Sequence, residues 1–430
     1  MKILACVYAC SPVRGSEQGV GWGWLNAIPR EHQVWALTDE AYRGDIENSV
    51  ARDPERYSHL HFVYIPRLRW LRFEKVWPPA YLATYRRWQR AAFDVAARLH
   101  REVKFDLVHV MTYVGFRVPG PFHRLGIPLI WGPIGGLENT NWRFLPRLGM
   151  RGAVHYAARN VINTVQKRIL REPRQAFRAA RGGIIAATSR IQSEILRVYG
   201  ENSVVISEIG APEQTVSSPS LRAPSEPLRI CWSGLHLPGK ALPLLFDALA
   251  RLPERVRWQL DILGSGACSA KWRAYAERRG VNCNWHGQVP RDEALAIMSR
   301  AHVLAVTSVK DLTSTVIVEA LALGVPVVCP DHCGFSDAIN ESCGLKLDAR
   351  GPRRFIAALT DALVALHDDE SRRRRLSAGA QERALHFRWS MKTEQLSRIY
   401  AERIRLAEMV SAAQAQPSAL QAVFGSAAQQ

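Results

Sequence analysis

The sequence predicts an α/β protein built from two doubly wound domains that face each other across a cleft. Three observations lead there. Short Val- and Ile-rich runs, most ending in Gly, Ser or Pro, alternate with stretches of helical periodicity along most of the chain. The alternation occurs twice, as a series of seven runs and then a series of six. Between the series lies APEQTVSSPSLRAPSEP (211–227), poor in apolar residues and rich in Pro and Ser, as a linker is. The 430 residues suffice for two domains of ordinary size, and 47% apolar content suffices for two cores.

In order, the first-half runs are KILACVY, QVWALTD, HLHFVYIP, LVHVMTY, PLIWGP, GIIAATS and SVVISEI. The second-half runs are LRICWSG, RWQLDILG, VNCNWHG, VLAVTS, PVVCP and GLKL. Helical stretches such as ALPLLFDALARL and RDEALAIMSRA fill most gaps. This places one domain over 1–210, the linker over 211–227 and a second domain over 228–389. A helix is expected over 390–411 and a low-complexity tail over 412–430. The tract from Met150 to Ala180 reads as a basic amphipathic helix.

The formal charge is +18, from 57 Lys and Arg against 39 Asp and Glu. It is concentrated in residues 1–200, which carry 30 basic and 15 acidic residues. Such asymmetry points to an anionic partner: a membrane surface, a nucleic acid or a phosphorylated substrate. The alternative is an Arg-rich surface without a dedicated partner. The eight cysteines form no CxxC pair. Cys329, His332, Cys333 and Cys343 cluster in sequence at a spacing unlike the common zinc frameworks, so they read as reduced core cysteines and no metal is expected. The apolar run before Cys6 is too short for a signal peptide, and no run reaches the length of a membrane span. The expectation is a cytoplasmic protein with a peripheral hold on the inner face of the cell membrane.

The chemistry is carried first by SVKDLTSTVIVEALALGVPVV (308–328). A strand ends at Ser308, a helix starts near Ser314 and stops at Gly324, and another strand follows. The unpaired N–H groups of that helix start, around Leu312, Thr313, Ser314 and Thr315, form a seat for a diphosphate. Glu319, one turn in, offers two acceptor oxygens to the vicinal hydroxyls of a ribose. Asp311, before the turn, reaches hydroxyls of a sugar beyond the phosphates. The bland alternative is a loop acid and a helix acid tied to an Arg. Lys240, in SGLHLPGKALPLLFDAL (233–249), enters the cleft near a helix start. There a lysine can hold a diphosphate and stabilise it as a leaving group. The turn PVRGSEQGVGWGW (12–24), with Gly15, Ser16 and Glu17, does not fit GxGxxG but lets backbone approach a ligand. PLIWGPIGG, with Gly135, is a comparable loop.

Together these pieces resemble the family-4 glycosyltransferases of GT-B fold, over about residues 1–405. The most specific part is the acid-x7-acid motif, here Asp311 and Glu319, followed by ALALGVPVV. The family's first acid is Glu, and its Gly-Arg-Leu-x3-Lys-Gly appears here with Gly234 and Lys240 but with Leu235 in place of the Arg. His236 is the nearest substitute for that cation. ILGSG, with Gly264 and Gly266, and WHGQV, ending in Val289, match the family's turns around the nucleotide. FDLVHV, with His109, matches its Asp-x-x-His strand, and FRWS…IY its terminal helix.

The resemblance implies two Rossmann-like domains, the terminal helix crossing back to complete the first. It implies transfer of a sugar, with retention, from a nucleoside diphosphate sugar bound by the second domain to an acceptor bound by the first. Asp311 would orient the sugar, Glu319 would hold the ribose, and Lys240 with the N–H groups of 313–315 would take the diphosphate. No cofactor or metal is implied. The loop histidine that many relatives carry near the sugar is missing from WGPIGG, which leaves Glu17 and His109 as the acceptor-side candidates.

The basic first domain, and the mix of Arg with Trp, Tyr and Phe in PRLRWLRFEKVWPPAYLATYRRWQR (66–90), suggest docking on an anionic membrane. A glycan or polyprenyl-diphosphate-linked glycan acceptor in exopolysaccharide or lipopolysaccharide synthesis follows. The alternatives are a related sugar-nucleotide enzyme such as an epimerase, a catalytically inactive scaffold, and a nucleic-acid-binding protein. No RNA- or DNA-binding motif supports the last, so no nucleic-acid partner is expected.

Overall fold

The structure is a computed structural model and describes residues 1–15, 17–67, 78–113, 115–211, 213 and 221–415. Ser16, residues 68–77 of the aromatic-basic tract, Val114, residues 212 and 214–220 of the linker and the tail beyond 415 lie outside the described residues.

Two parallel sheets organise the chain. The first contains β1 (Lys2–Cys6), β2 (Gln33–Asp39), β3 (Leu60–Ile65), β4 (Leu107–Val110), β5 (Leu129–Ile134), β6 (Ile184–Ala186) and β7 (Val204–Val205), in the order β3-β2-β1-β4-β5-β6-β7. The second contains β8 (Leu228–Ser233), β9 (Trp258–Leu263), β10 (Asn284–Gly287), β11 (Val303–Ala305), β12 (Val327–Pro330) and β13 (Gly344–Leu347), ordered β10-β9-β8-β11-β12-β13. Every pairing is parallel. Helices cover both faces, so the central strands are apolar on both sides: Ile3, Leu4, Ala5 and Cys6 are fully buried, as are Val303 and Leu304. Twelve of these thirteen strands fall within the runs expected from sequence, and β5 extends one residue past PLIWGP, to Ile134.

In each sheet the strand order reverses between the first strand and the fourth, β1/β4 and β8/β11. Loops that leave such a switch point diverge and open a crevice at the carboxyl ends of the strands. The loops after β1 and β4 (near 7–15 and 111–117) and those after β8 and β11 (234–240 and 306–314) therefore gather the residues singled out by sequence.

Two segments cross between the lobes. The helix Trp389–Ala415 returns to the first lobe and buries Leu396, Ile399 and Tyr400 in its core. Its first residue, Trp389, stands edge-on to Trp24 and covers Gly23 and Gly210, where any side chain would collide with the indole. The turn Trp142–Leu148, which precedes the helix Gly149–Ile169, goes the other way: Phe144, Leu145 and Leu148 pack into the core of the second lobe. The lobes are thus fastened reciprocally, each by an element borrowed from the other half of the sequence.

Candidate active site

The loop after β8 is fixed before any side chain acts. Gly234 N–H donates to Leu263 O (3.1 Å), His236 N–H to Ser265 O (3.0 Å), and Gly264 N–H to Gly287 O (2.7 Å). Gly264 sits at φ 105, and a Cβ there would strike the Gly234 carbonyl. A Cβ on Gly266 would press on the backbone of His236. These glycines let two loops interlock at the mouth of the sheet. Val309 N–H then donates to Gly239 O (2.8 Å), and the Thr307 hydroxyl donates to Lys240 O (2.7 Å). The β8 and β11 loops are knitted together, and Lys240 is delivered to Asp311, with which it forms a short ion pair.

Both partners of that pair are one-fifth exposed, open to the cleft yet shielded enough for the attraction to count. Asp311 Oδ1 also accepts the Leu312 N–H (3.1 Å). Tyr156, from the helix Gly149–Ile169, lies over Gly239 beside this pair. Glu319 lies in the second turn of the helix Thr315–Ala322, where Oε1 accepts from Nε and Nη2 of Arg291 at 3.1 and 2.9 Å. Arg291 itself is well exposed. Each carboxylate of the acid-x7-acid motif is therefore paired with a cation, and Glu319 is tied to an arginine as the bland alternative expected.

The turn between them is strained. Ser314 holds φ 115, ψ 115, outside the regions an L-residue prefers, and Thr315 begins the helix, exposed. Thr313 does not face a ligand. Its N–H donates to Glu208 Oε1 (2.9 Å) and its hydroxyl to Oε2 (3.0 Å), so the expectation that it takes diphosphate is corrected. Leu312 packs against the core cluster of the first lobe, and Val289 lines a cluster with Val316 that also receives Val20 from the first lobe.

Glu208 was not singled out from sequence. It ends the first half of the chain and is buried, which raises its pKa against the lowering effect of the Thr313 bonds. Its own carbonyl accepts from Trp24 Nε1 (2.8 Å). Nearby Lys392, also buried, donates to Ser207 O (2.5 Å) and lies over the rings of Trp24 and Trp389. Burial pushes its ammonium down to about 7, opposed by the charge of Glu208. The turn before the helix Thr315–Ala322, the chain crossing and the terminal helix meet in this one polar cluster. Lys310, beside Asp311, reaches across the lobes to Glu138 O (2.7 Å), and burial lowers its pKa.

On the first-lobe side the candidates separate. Gly15 is exposed, with nothing close to its Cα side. Gly135 is buried and bridges to Gly115. Glu17 opens the helix Glu17–Asn26, and its charge adds to burial in raising the pKa of Tyr81, Tyr85 and Tyr113. His109 is corrected. It is fully buried, with Nε2 on Gly132 O (3.0 Å) and Nδ1 on the Tyr400 hydroxyl (2.8 Å). Burial pushes its pKa down to about 4, so it is a neutral core histidine that joins β4, β5 and the terminal helix. His236 is corrected as well: it is buried among Trp232, Trp272 and Trp285, with Nδ1 on Ser269 Oγ (2.8 Å), and does not replace the cation missing at Leu235. Tyr85 and Trp88 of the 66–90 tract are core residues and not interfacial ones. No helix among the described residues is long and apolar enough to cross a membrane.

Residues 213–383 match the family model of glycosyl transferases group 1. D-inositol 3-phosphate glycosyltransferase of Corynebacterium efficiens is 32% identical over 183 residues, which cover 40% of this chain and 42% of that protein. Phosphatidyl-myo-inositol mannosyltransferase of Mycobacterium tuberculosis is 28% identical over 166 residues, 38% of this chain and 44% of that one. The chain thus spans less than half the length of these curated relatives. HepE of Anabaena, solved in complex with UDP, superposes with a TM-score of 0.58 at 16% identity, covering 93% of this chain and all of that one. That likeness establishes the fold, two Rossmann-like α/β domains of GT-B type.

Proposed function

We propose that the whole chain is a retaining glycosyltransferase that moves a sugar from a nucleoside diphosphate sugar to a glycan or lipid-linked glycan acceptor in surface polysaccharide synthesis. The observation that carries this is the Lys240–Asp311 pair at the switch point of the second sheet, with Glu319 in the second turn of the helix that follows. On donor binding, Lys240 exchanges Asp311 for the diphosphate, and Asp311 turns to a sugar hydroxyl. Glu319 exchanges Arg291 for the ribose hydroxyls. The bond from the anomeric carbon to the diphosphate oxygen breaks, and the diphosphate leaves with the electron pair. The acceptor oxygen bonds to the same face, and its proton passes to a phosphate oxygen of the donor. The charge that builds on the diphosphate is met by Lys240 and by the helix start at Thr315, so the reading gives no metal a role. The name of one relative carries a lipid acceptor, which supports a lipid-borne one here.

The test is a thermal-shift panel of UDP-, GDP- and ADP-sugars on the wild type, Lys240→Ala and Glu319→Ala. One donor class is expected to raise the melting temperature of the wild type, and both variants are expected to lose most of that rise. A wild type that no nucleotide sugar stabilises would overturn the reading.

A further inference from the structure

The helix Gly149–Ile169 is inside out. Its buried positions are Gly152, Asn160, Asn163 and Lys167, while Met150, Val154, Val161, Ile162, Val165 and Ile169 are 47–82% exposed. At 100° per residue the six exposed positions fall within an arc of about 120°. A helix on the surface of a soluble protein normally shows the opposite pattern. On the inner side Ala153, Tyr156 and Ala157 pack against the core of the second lobe, and the buried polar positions satisfy the backbone of the loop 137–141. Asn160 accepts from Thr140 N–H (2.8 Å) and donates to Thr140 O (2.7 Å). Asn163 Nδ2 and Lys167 Nζ both donate to Leu137 O (3.0 Å), and Lys167 also pairs with Glu194 (2.7 Å). Rotating the helix to hide its valines would orphan all of these groups, so the apolar stripe is locked outward.

A contiguous exposed stripe of this kind marks a contact surface, and charge selects the occupant. From 139 to 171 the chain has seven Arg or Lys and no Asp or Glu. Arg151 lies within the stripe's arc, Arg168 at its edge, and Arg171 follows it, all exposed. Trp142, 54% exposed, stands just before the helix. A second copy of the chain would set these cations against each other. An anionic bilayer would attract them, at about 1 kcal/mol per Lys or Arg near the surface, while its acyl boundary takes up the stripe. We propose that the helix Gly149–Ile169, with Trp142, lies in the interface of an anionic membrane. Its inner side touches the donor loop, Gly152 against Pro238 and Tyr156 against Gly239, so docking would hold the Lys240 loop close to the bilayer. The proposal rests on the functional reading for the meaning of such docking, but vesicle binding requires no sugar transfer, so the two can fail separately.

The experiment is flotation of the full chain with vesicles of mixed phosphatidylcholine and phosphatidylglycerol, and with phosphatidylcholine alone. The wild type is expected to float with the anionic vesicles only. Val161→Asp/Val165→Asp should weaken binding by about tenfold or more, and Arg151→Gln/Arg168→Gln should weaken it and flatten its salt dependence. An unchanged melting temperature and donor shift show that each variant is folded. The proposal is overturned if the wild type stays with the soluble fraction, or if the aspartate variant floats equally well. It is also overturned if sedimentation shows a dimer that the aspartates dissociate, without vesicle binding. Flotation with no response to any nucleotide sugar would leave docking standing and remove the functional reading.

Discussion

His109 shows how a residue is misread when only its neighbours in sequence are known. An Asp-x-x-His strand suggested a site residue, yet both ring nitrogens are spent on Gly132 and Tyr400. The second partner lies 291 positions away, beyond any local pattern. The structure makes a pH prediction from it. The folded-state pKa is lowered to about 4 from 6.5. The unfolded chain therefore binds the extra proton first as pH falls, and stability is full above 6.5 and drains away toward 4. The contribution is on the order of 3 kcal/mol. Urea unfolding from pH 7 to pH 4 should show this slope, and His109→Asn should flatten it. Ser314 gives a second residue-scale prediction. Its φ of 115 costs about 1–3 kcal/mol, so Ser314→Gly should raise the melting temperature and Ser314→Val should lower it.

At the scale of elements the strands were legible because they are buried on both faces, and Val- and Ile-rich runs bounded by turn residues have few other uses. The acid-x7-acid turn was legible for a related reason: a helix start after a central strand has a fixed place in a doubly wound sheet. What sequence did not disclose were contacts whose partners come from different elements. Glu208 closed an expected strand run, SVVISEI, and nothing in the sequence singled out Lys392. The helix Gly149–Ile169 was legible as basic and amphipathic, but periodicity cannot say which face is buried. Glu208 should behave as a positioning residue. Glu208→Ala removes the acceptors of the N–H and hydroxyl of buried Thr313 and should cost about 2–4 kcal/mol in urea unfolding. Glu208→Gln keeps one acceptor and should recover part of that loss, together with part of the nucleotide-sugar thermal shift. Equal loss in both variants would assign the role to charge and not to the hydrogen bonds.

For the whole molecule, the terminal helix and the turn Trp142–Leu148 fasten the lobes reciprocally. Trp389 is the key to the first fastening, since it fills the space above Gly23 and Gly210. Trp389→Ala should cost about 3–5 kcal/mol. It should also separate unfolding into two transitions by calorimetry if the helix is what makes the lobes melt together. A single transition, merely shifted, would place the coupling in the polar cluster at Glu208.

The returning helix also has a consequence for how the molecule is made. The first lobe has all of its strands once Val205 has been synthesised, yet Leu396 and Tyr400, which close its core, come nearly two hundred residues later. At about 5–20 residues per second, a nascent chain waits on the order of ten to forty seconds with that groove open, and Trp24 lacks its cover throughout. A ribosome-bound intermediate of this duration is a natural client for chaperones, and a stop codon anywhere in the second lobe strands the first one unfinished.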